Sequence, residues 1–294
     1  MQHLGTEFES FMGQSDAAIG RRDFLKIAVG ATLAATFLPA SAKTVIHTDV
    51  DGLKEGEFTL DIDGQPVPVY MAQPRDKSNL PIMLVISEVF GLHEHIADVA
   101  RRFAKQGYLA IAPELFVRQG DPANYDNIAQ LNKEVVSKVP DSQVIADLDA
   151  CIAWAKRNGG NPDKIAVSGF GWGGRFVWLY AAHNPSVKAG VEWYARLVAD
   201  TTLATMNPEN PIDIAAQLTT PILGLHGGKD IGVSMASIQQ MKEVLAQGSS
   251  HSEIVLYPKT GHAFFADYRN SYVPEDAKDS WKRCLDWLRA HGME

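Results

Sequence analysis

The segment IAVSGFGWGG, residues 165–174, is the most informative part of this sequence about the fold. It starts with the apolar run Ile165 to Val167, which is typical of a strand buried on both faces. A glycine-rich turn with glycines at 169, 171, 173 and 174 follows, and a helical pattern starts at Gly174. Glycine relieves crowding in a sharp turn because it has no Cβ atom. The stretch therefore predicts a strand, a tight turn and a helix, which is the repeating unit of an α/β fold.

The same alternation of strands and helices extends in both directions from this unit. A predicted hairpin of residues 56–62 and 67–72 comes first, joined by Asp63-Gly64, a typical two-residue turn. Further predicted strands lie at 82–86, 108–112, 189–193, 221–225 and 253–257. Predicted helices lie at 96–103, 143–157, 174–182, 235–245 and 277–288. Repeated β–α–β order implies a mainly parallel central sheet with helices on both faces, in which ligands bind at the carboxyl ends of the strands.

Residues 1–42 are predicted to be an export signal rather than part of the fold. Arg21-Arg22 precedes a Gly/Ala-rich apolar run at 27–38 and a small-residue cleavage site at 39–42. This order resembles a bacterial twin-arginine signal, and cleavage would leave Lys43 as the N-terminus of a periplasmic protein. A retained membrane anchor is the alternative, but the run is shorter than the roughly 20 residues that span a bilayer. No repeat or linker divides residues 43–294, so we expect them to form a single domain.

Composition argues against several classes of protein. The formal net charge is −8 and no Lys/Arg-rich stripe is present, which argues against a nucleic-acid partner, because phosphate binding depends on clustered cations. The two cysteines, Cys151 and Cys284, both fall in predicted helices and support neither a disulfide scaffold nor a zinc site. A single bridge between them stays open. We expect no cofactor.

The turn at residues 169–173 matches the nucleophile elbow, a G-x-Nu-x-G turn whose central residue attacks the substrate. Gly171 occupies the nucleophile position, where it supplies neither oxygen nor sulfur. We expect side chains at Gly169 and Gly173 to collide across the turn. A phosphate-binding loop is the alternative, but this is not the first β–α turn of the domain and Arg175 is its only nearby cation.

Two later strand ends carry residues that could serve a nucleophile. Asp230 follows the strand at 221–225, and His262 follows the strand at 253–257. Elbow, acid and histidine in this chain order are characteristic of α/β-hydrolases. The acid orients the imidazole and stabilises its charged form. We therefore predict an α/β-hydrolase fold in which Asp230 and His262 act together at the elbow.

Several motifs carry a more specific resemblance. Residues 86–92 (ISEVFGL), 112–116 (APELF) and 261–264 (GHAF), together with the elbow, are similar to segments of the dienelactone hydrolases, a family of α/β-hydrolases. The similarity covers essentially all of residues 43–294. The resemblance implies a hydrolase of small esters or lactones.

The resemblance also implies a role for particular residues. A cysteine thiolate at the elbow would pair with His262, Asp230 would orient His262, and Glu88 would modulate the thiol. The backbone N–H groups of Val89 and Trp172 would form the oxyanion hole. The single serious departure from the family is the glycine at the elbow.

The missing thiol has three explanations. The chain is an altered or engineered form of a cysteine enzyme, a natural pseudoenzyme that binds ligands, or an enzyme in which water attacks with His262 as the base. The first is favoured because all the supporting residues are present. Ser168 does not replace the thiol, since it still lies on the predicted strand. Losing a nucleophile from such a unit can cost about 10⁶ in rate, so we expect almost no hydrolysis of esters or lactones.

Substrate contacts are less well marked. The family holds a carboxylated lactone with arginines, one of them four residues after the histidine, but that position is Ala266 here. Arg196 and Arg269 are the nearest alternatives. Candidates for an apolar pocket wall are Trp172, Tyr194 and Phe265. Aromatic residues at such positions more often belong to the core.

Two other interpretations remain open at this point. His93 and His95 could join Glu88 in a three-ligand metal site, but a helix-capping, solvated role is favoured, because histidines two residues apart do not share a helix face. A non-enzymatic binding module is the second functional class, favoured by the absent nucleophile.

Overall fold

The computed structural model describes residues 45–198 and 209–294, which fold around one eight-stranded sheet. The strands are β1 (Leu53–Ile62), β2 (Gln65–Pro74), β3 (Leu80–Ile86), β4 (Leu109–Pro113), β5 (Gly160–Phe170), β6 (Val187–Trp193), β7 (Ile222–Gly227) and β8 (Glu253–Tyr257). The helices are α1 (Glu94–Lys105), α2 (Ile128–Glu134), α3 (Asp141–Arg157), α4 (Trp172–His183), α5 (Pro211–Ile214), α6 (Met235–Leu245) and α7 (Pro274–Ala290). The predicted signal at 1–42 lies outside the described residues. Within the two described ranges, no helix is long and apolar enough to cross a bilayer.

The sheet has the order β1-β2-β4-β3-β5-β6-β7-β8. β1 and β2 form the predicted antiparallel hairpin, whose turn residues Asp63 and Gly64 have φ values of 54° and 76°, as a two-residue hairpin turn requires. β2 also pairs antiparallel with β4. All the pairs from β4 through β3 to β8 are parallel. The predicted mainly parallel sheet is confirmed. Both antiparallel pairs involve β2, on the side of the sheet where the strand order begins.

Apolar side chains fill one core layer on each face of the sheet. In β3, Ile82, Leu84 and Ile86 contribute to the layer that contains α3, α4 and α6. Met83 and Val85 contribute to the layer that contains α1 and α7. All five side chains are fully buried, and each such burial stabilises the fold by about 1.5–3 kcal/mol. Burial on both faces explains why the strand is a continuous apolar run rather than an alternating one.

The structure differs from the predicted elements in a few places. α4 begins at Trp172, two residues before the predicted start, because Gly171 itself is the N-cap residue of the helix. The sequence patterns missed α2 and α5. α2 has only seven residues, too few to show a helical period, although its N-cap Asn127 accepts a hydrogen bond from the N–H of Gln130 at 3.0 Å.

Both cysteines are free and fully buried. Cys151 belongs to the core layer of α3 and Cys284 to the layer of α7, so the bridge that the sequence left open does not form. Burial raises the pKa of both thiols. Neither thiol is therefore accessible or readily ionised in the folded chain.

Candidate active site

The candidate catalytic residues all follow strands at one edge of the sheet. β3, β5, β6, β7 and β8 are parallel, so their carboxyl ends lie at the same edge. Glu88 follows β3, Gly171 follows β5 and Tyr194 follows β6. Asp230 and His262 follow β7 and β8. This edge is therefore the candidate active site.

Gly171 lies at the apex of a sharp turn between β5 and α4. Its backbone angles, φ 51° and ψ −113°, are rarely adopted by residues with a side chain. The N–H of Gly171 donates to the carbonyl oxygen of Trp193 at 2.9 Å, and the N–H of Gly174 donates to the carbonyl oxygen of Gly171 at 3.0 Å. The strand passes into the helix through a single residue, which is the geometry predicted for a nucleophile elbow.

Close backbone contacts require the two flanking glycines. A Cβ atom at Gly169 would lie 2.3 Å from the carbonyl oxygen of Gly173, so the predicted collision across the turn is confirmed there. A Cβ atom at Gly173 would instead lie 2.4 Å from the carbonyl oxygen of Ser87, at the end of the neighbouring strand. A Cβ atom at Gly171 would meet nothing within 4 Å. The apex therefore has room for a side chain that the flanking positions cannot accommodate.

Asp230 and His262 form a direct pair. Oδ2 of Asp230 lies 2.8 Å from Nδ1 of His262. Oδ1 accepts hydrogen bonds from the N–H groups of Gly232 at 2.7 Å and Val233 at 3.1 Å, which fixes the orientation of the carboxylate. The Asp230 side chain is fully buried, whereas that of His262 is 20% exposed. An imidazole held in this way at Nδ1 can exchange a proton through Nε2.

Tyr194 links this pair to Glu88. Its φ is 46°, and its N–H donates to the carbonyl oxygen of Leu225 at 2.9 Å. The Tyr194 ring lies edge-on to the His262 ring, with centroids 5.2 Å apart. Its hydroxyl donates to Oε1 of Glu88 at 3.2 Å. Tyr194 is fully buried, so it connects His262 and Glu88 from within the protein interior and does not form an open pocket wall.

Glu88 is a buried carboxylate that its surroundings keep ionised. Its Oε2 accepts a hydrogen bond from the hydroxyl of Tyr268 at 2.7 Å and lies 3.5 Å from Nη2 of Arg269. Burial raises the pKa of Glu88, but Arg269, together with His93 and His95, outweighs burial and lowers the pKa to about 2. Glu88 therefore carries a negative charge at neutral pH.

The structure brings Arg269 to the site and holds it there. Its guanidinium lies over the rings of Phe90 and Tyr268, 5.1 Å and 5.6 Å from the centroids, in addition to its ion pair with Glu88. The sequence analysis named Arg269 but missed Tyr268. The one sequence feature that pointed to Tyr268 was its position six residues after His262, next to Arg269. Arg196 lies just beyond β6 and is partly buried.

The two remaining aromatic candidates are placed differently. Trp172 begins α4, and its ring packs against the rings of Phe116 and Phe176, with centroids 4.8 Å and 4.7 Å away. Phe265 is 2% exposed, and its ring packs against Trp193 with centroids 4.2 Å apart. Trp172 directly follows the elbow apex and is only partly buried, so it lies at the site although its ring packs against the core. Phe265 lies in the core, which is the alternative given above for such aromatic residues.

The two predicted oxyanion donors lie in segments that touch. Trp172 is the first residue of α4, where a backbone N–H has no acceptor within the helix. Val89 lies in the loop that follows β3. The start of that loop contacts the elbow, because the carbonyl oxygen of Ser87 lies only 2.4 Å from the position of a Cβ atom on Gly173.

His93 and His95 do not form the metal site that the sequence raised. Nδ1 of His95 lies 3.2 Å from Oδ1 of Asp267, and the two imidazole centroids are 6.1 Å apart. His93 is the N-cap residue of α1, but its side chain makes no capping hydrogen bond, and both histidines are buried. The predicted helix-capping, solvated role is therefore wrong. Among the residues that the structure describes, no group of three His, Cys, Asp or Glu side chains could hold a metal ion.

Comparison with known proteins gives consistent matches. The model of the dienelactone hydrolase family matches residues 67–292. The "Putative carboxymethylenebutenolidase" of Methylorubrum extorquens is 48% identical over 280 residues, which cover 95% of this chain and 96% of that protein. The crystal structure of the "Putative Dienelactone Hydrolase" from Klebsiella pneumoniae is 49% identical with a TM-score of 0.78, and the match covers 81% of this chain and 98% of that one. The "Probable 2-oxo-3-(5-oxofuran-2-ylidene)propanoate lactonase" of Bradyrhizobium is 28% identical over 230 residues, covering 78% of this chain and 91% of that protein.

Proposed function

The chain belongs to the dienelactone hydrolase family, and we propose that its site is built to hydrolyse a small carboxylic ester or lactone. The reacting unit would consist of a nucleophile at position 171, His262 as the base and Asp230 as the carboxylate that orients the base. With Gly171 at the apex, we propose that the chain is nearly inactive in this reaction. One observation carries the proposal: an uncrowded elbow apex lies at the same sheet edge as a hydrogen-bonded Asp230–His262 pair.

A thiol at position 171 would complete the unit. His262, held at Nδ1 by Asp230, would take the proton of the thiol and form an ion pair with the thiolate. The thiolate would attack the carbonyl carbon, and the N–H groups of Val89 and Trp172 would stabilise the oxyanion. The C–O bond of the ester would then break, and the leaving oxygen would take the proton from His262. Water would hydrolyse the resulting thioester by the same sequence of steps.

Glu88 would modulate that thiol. Its carboxylate is ionised at neutral pH and lies at the same edge of the sheet. A nearby negative charge disfavours a second one, so Glu88 would raise the pKa of a thiol at the apex. Alkylation of Gly171→Cys by iodoacetamide across pH should therefore show a lower apparent thiol pKa once Glu88→Gln is added. An identical pH profile in both variants would remove Glu88 from this role.

Of the three explanations for the missing thiol, an altered cysteine enzyme has the strongest support. The apex has room for a Cβ atom, and the flanking glycines, the Asp230–His262 pair and the ionised Glu88 are all in place. Direct attack by water with His262 as base would use the same Asp230–His262 pair, but no covalent acyl-enzyme intermediate would form. Removing a nucleophile from such a unit can cost about 10⁶ in rate, which is the basis for the proposed inactivity.

The decisive experiment compares Gly171→Cys with Gly171→Ala. Both variants place a Cβ atom at the same positive φ in the same open space, so they share any backbone strain and differ only in the thiol. We expect Gly171→Cys to hydrolyse aryl esters or lactones at least about 10³-fold faster than Gly171→Ala. Adding His262→Gln should remove that gain. Equal rates in Gly171→Cys and Gly171→Ala would refute the proposal.

A lactone is the first substrate class to test, because the Bradyrhizobium relative is named as a lactonase. Arg269 is already paired with Glu88, so a substrate carboxylate would have to share or displace that partner. Arg196, which is partly buried just beyond β6, is the other proposed contact. Tyr194 is fully buried and would act only through Glu88 and His262. The assay therefore compares a carboxylated lactone with its uncharged methyl ester, and a lower KM for the charged form would support an arginine contact.

A ligand-binding pseudoenzyme is the second candidate function, favoured by the absence of a side chain at Gly171. It predicts that a carboxylated lactone raises the melting temperature of the unsubstituted chain while Gly171→Cys shows no turnover. The enzyme proposal predicts turnover in Gly171→Cys. The two functions are thus separated by the same pair of proteins.

We further propose that the chain is exported to the periplasm through its twin-arginine-like segment. The support is sequence alone: Arg21-Arg22, the apolar run at 27–38 and the small residues at 39–42. N-terminal sequencing of periplasmic protein should begin at Lys43. Replacing both arginines with lysine should abolish export, and undiminished export would refute the proposal.

A further inference from the structure

Glu114 is a carboxylate that the proposed reaction does not use, although it belongs to one of the motifs behind the family resemblance. It directly follows β4, whose carboxyl end lies at the same edge of the sheet as the elbow. Its Oε2 accepts a hydrogen bond from the N–H of Leu92 at 2.6 Å, and its Oε1 accepts one from the N–H of Phe116 at 3.0 Å. One carboxylate therefore joins the loop after β3 to the loop after β4.

The loop after β3 closes tightly on this carboxylate. Gly91 has a φ of 71°, and a Cβ atom there would lie 2.3 Å from Oε2 of Glu114. The N–H of Gly91 donates to the carbonyl oxygen of Glu88 at 3.2 Å, so residues 88–91 form a turn. Val89, one proposed oxyanion donor, lies inside this turn. The direction of its N–H therefore depends on where Glu114 holds the far end of the turn.

The loop after β4 supports the second proposed donor. Phe116 is fully buried, and its ring packs against the ring of Trp172 with centroids 4.8 Å apart. Trp172 directly follows Gly171 and starts α4. The carboxylate of Glu114 thus holds both the loop of one donor and the residue against which the other donor packs.

We propose that Glu114 is a positioning residue for the oxyanion hole, which it aligns by holding the loop of Val89 and the loop that supports Trp172 at a fixed spacing. This rests on the proposed function of the same site. An ionised acceptor suits the role, because its hydrogen bonds are roughly twice as strong as those between neutral groups. Donors must lie about 2.7–3.1 Å from the oxyanion, so a small displacement of either loop lowers the rate without unfolding the chain.

Glutamine tests this role without changing the shape of the side chain. A carboxamide accepts hydrogen bonds through one oxygen only, so the N–H of either Leu92 or Phe116 would face an NH₂ group. Burial raises the pKa of the Glu114 carboxyl, although its two backbone hydrogen bonds oppose the rise. Measurements therefore belong at about pH 8, far above the ordinary carboxyl range.

The kinetic test uses the Gly171→Cys background. There we expect Glu114→Gln to lower kcat for an aryl ester about 10- to 100-fold while KM changes by less than about twofold, because the donors act mainly on the oxyanion. Glu114→Asp keeps the charge and should recover part of the loss. Glu57→Gln, at an exposed acid on β1, is the control and should change neither constant. An unchanged kcat would overturn the proposal. So would a fall in kcat that is matched by an equal rise in KM and accompanied by a lower melting temperature.

Amide hydrogen exchange on the chain with Gly171 in place separates this proposal from the proposed function. Glu114→Gln should speed exchange of the N–H groups of Leu92 and Phe116 by about tenfold or more, while β3 and β5 stay protected. Unchanged exchange at both sites would overturn the positioning role whatever the activity of Gly171→Cys. Fast exchange together with an inactive Gly171→Cys would support the loop contact and refute the proposed reaction.

Discussion

Replacing Glu88 with glutamine should change how the stability of this chain depends on pH. Glu88 is 4% exposed and lies beside Arg269, Tyr194 and Tyr268. Burial alone would raise its pKa, but the surrounding positive charge lowers it to about 2 from an ordinary value of 4.5. The folded chain therefore binds a proton at this site less readily than the unfolded chain does.

The sign and size of the effect follow from the two pKa values. A carboxyl whose pKa is lowered by folding stabilises the fold above its unfolded pKa of 4.5, and that contribution is lost as pH falls toward 2. At about 1.36 kcal/mol for each pKa unit, the contribution of Glu88 is about 3 kcal/mol at neutral pH. Glu88→Gln removes it and leaves the buried charge of Arg269 without this partner, a change that typically costs about 3–5 kcal/mol.

The assay is urea unfolding of the unsubstituted chain and Glu88→Gln at pH values from 6 down to 3. We expect Glu88→Gln to be less stable by about 3 kcal/mol at pH 6, with the difference shrinking steadily below pH 4.5. Asp267, whose pKa is also lowered, contributes equally to both proteins and cancels in the difference. Glu57→Gln, at an exposed position, should follow the unsubstituted chain throughout. A constant difference between the two curves across this range would show that folding does not lower the pKa of Glu88.

Gly173→Ala should destabilise the fold by about 3 kcal/mol in urea unfolding, because its Cβ atom would lie 2.4 Å from a backbone oxygen. Gly171→Ala meets no neighbouring atom and should cost only about 1–3 kcal/mol for its backbone angles, φ 51° and ψ −113°; a cost larger than that of Gly173→Ala would contradict the open apex. Cys151 and Cys284 should resist a disulfide-exchange reagent in the folded chain and both react after unfolding, because burial raises the pKa of each thiol; labelling of the folded chain would contradict this. In the Gly171→Cys background, Asp230→Asn should lower kcat by about 10³–10⁴, and an unchanged kcat would separate Asp230 from the reaction.

The fold could be predicted because its determinants are local. A parallel strand covered on both faces must be apolar throughout, and Ile82–Ile86 shows this in the sequence alone. The elbow was also visible, because backbone contacts leave no room for a side chain at Gly169 or Gly173. α2 escaped prediction because seven residues do not display a period, and its signal was the capping residue Asn127.

The site could be predicted only in outline. Chain order placed Asp230 and His262 on adjacent strands, but their 2.8 Å contact also depends on two backbone N–H groups that orient the carboxylate. The sequence suggested that Tyr194 lines a pocket or belongs to the core. Its actual link between His262 and Glu88 depends on a positive φ, which the surrounding sequence does not predict.

Long-range polar contacts explain the rest of what sequence reasoning missed. Tyr268 lies 180 positions from Glu88, and Glu114 lies 22 positions from Leu92, yet each pair is hydrogen-bonded. Such contacts form because the carboxyl ends of the parallel strands lie together at one edge of the sheet. A local sequence pattern does not predict which residues meet there. The same convergence explains why Phe265 lies in the core although it is close in sequence to His262.

Intact-mass analysis of Gly171→Cys during reaction with a p-nitrophenyl ester tests most directly whether position 171 faces His262 as a nucleophile. We expect a burst of one equivalent of nitrophenol and an acyl adduct that maps to the peptide around residues 165–175, both lost when His262→Gln is added. A protein that forms no adduct, or that carries it on Cys151 or Cys284 instead, would show that position 171 does not face His262.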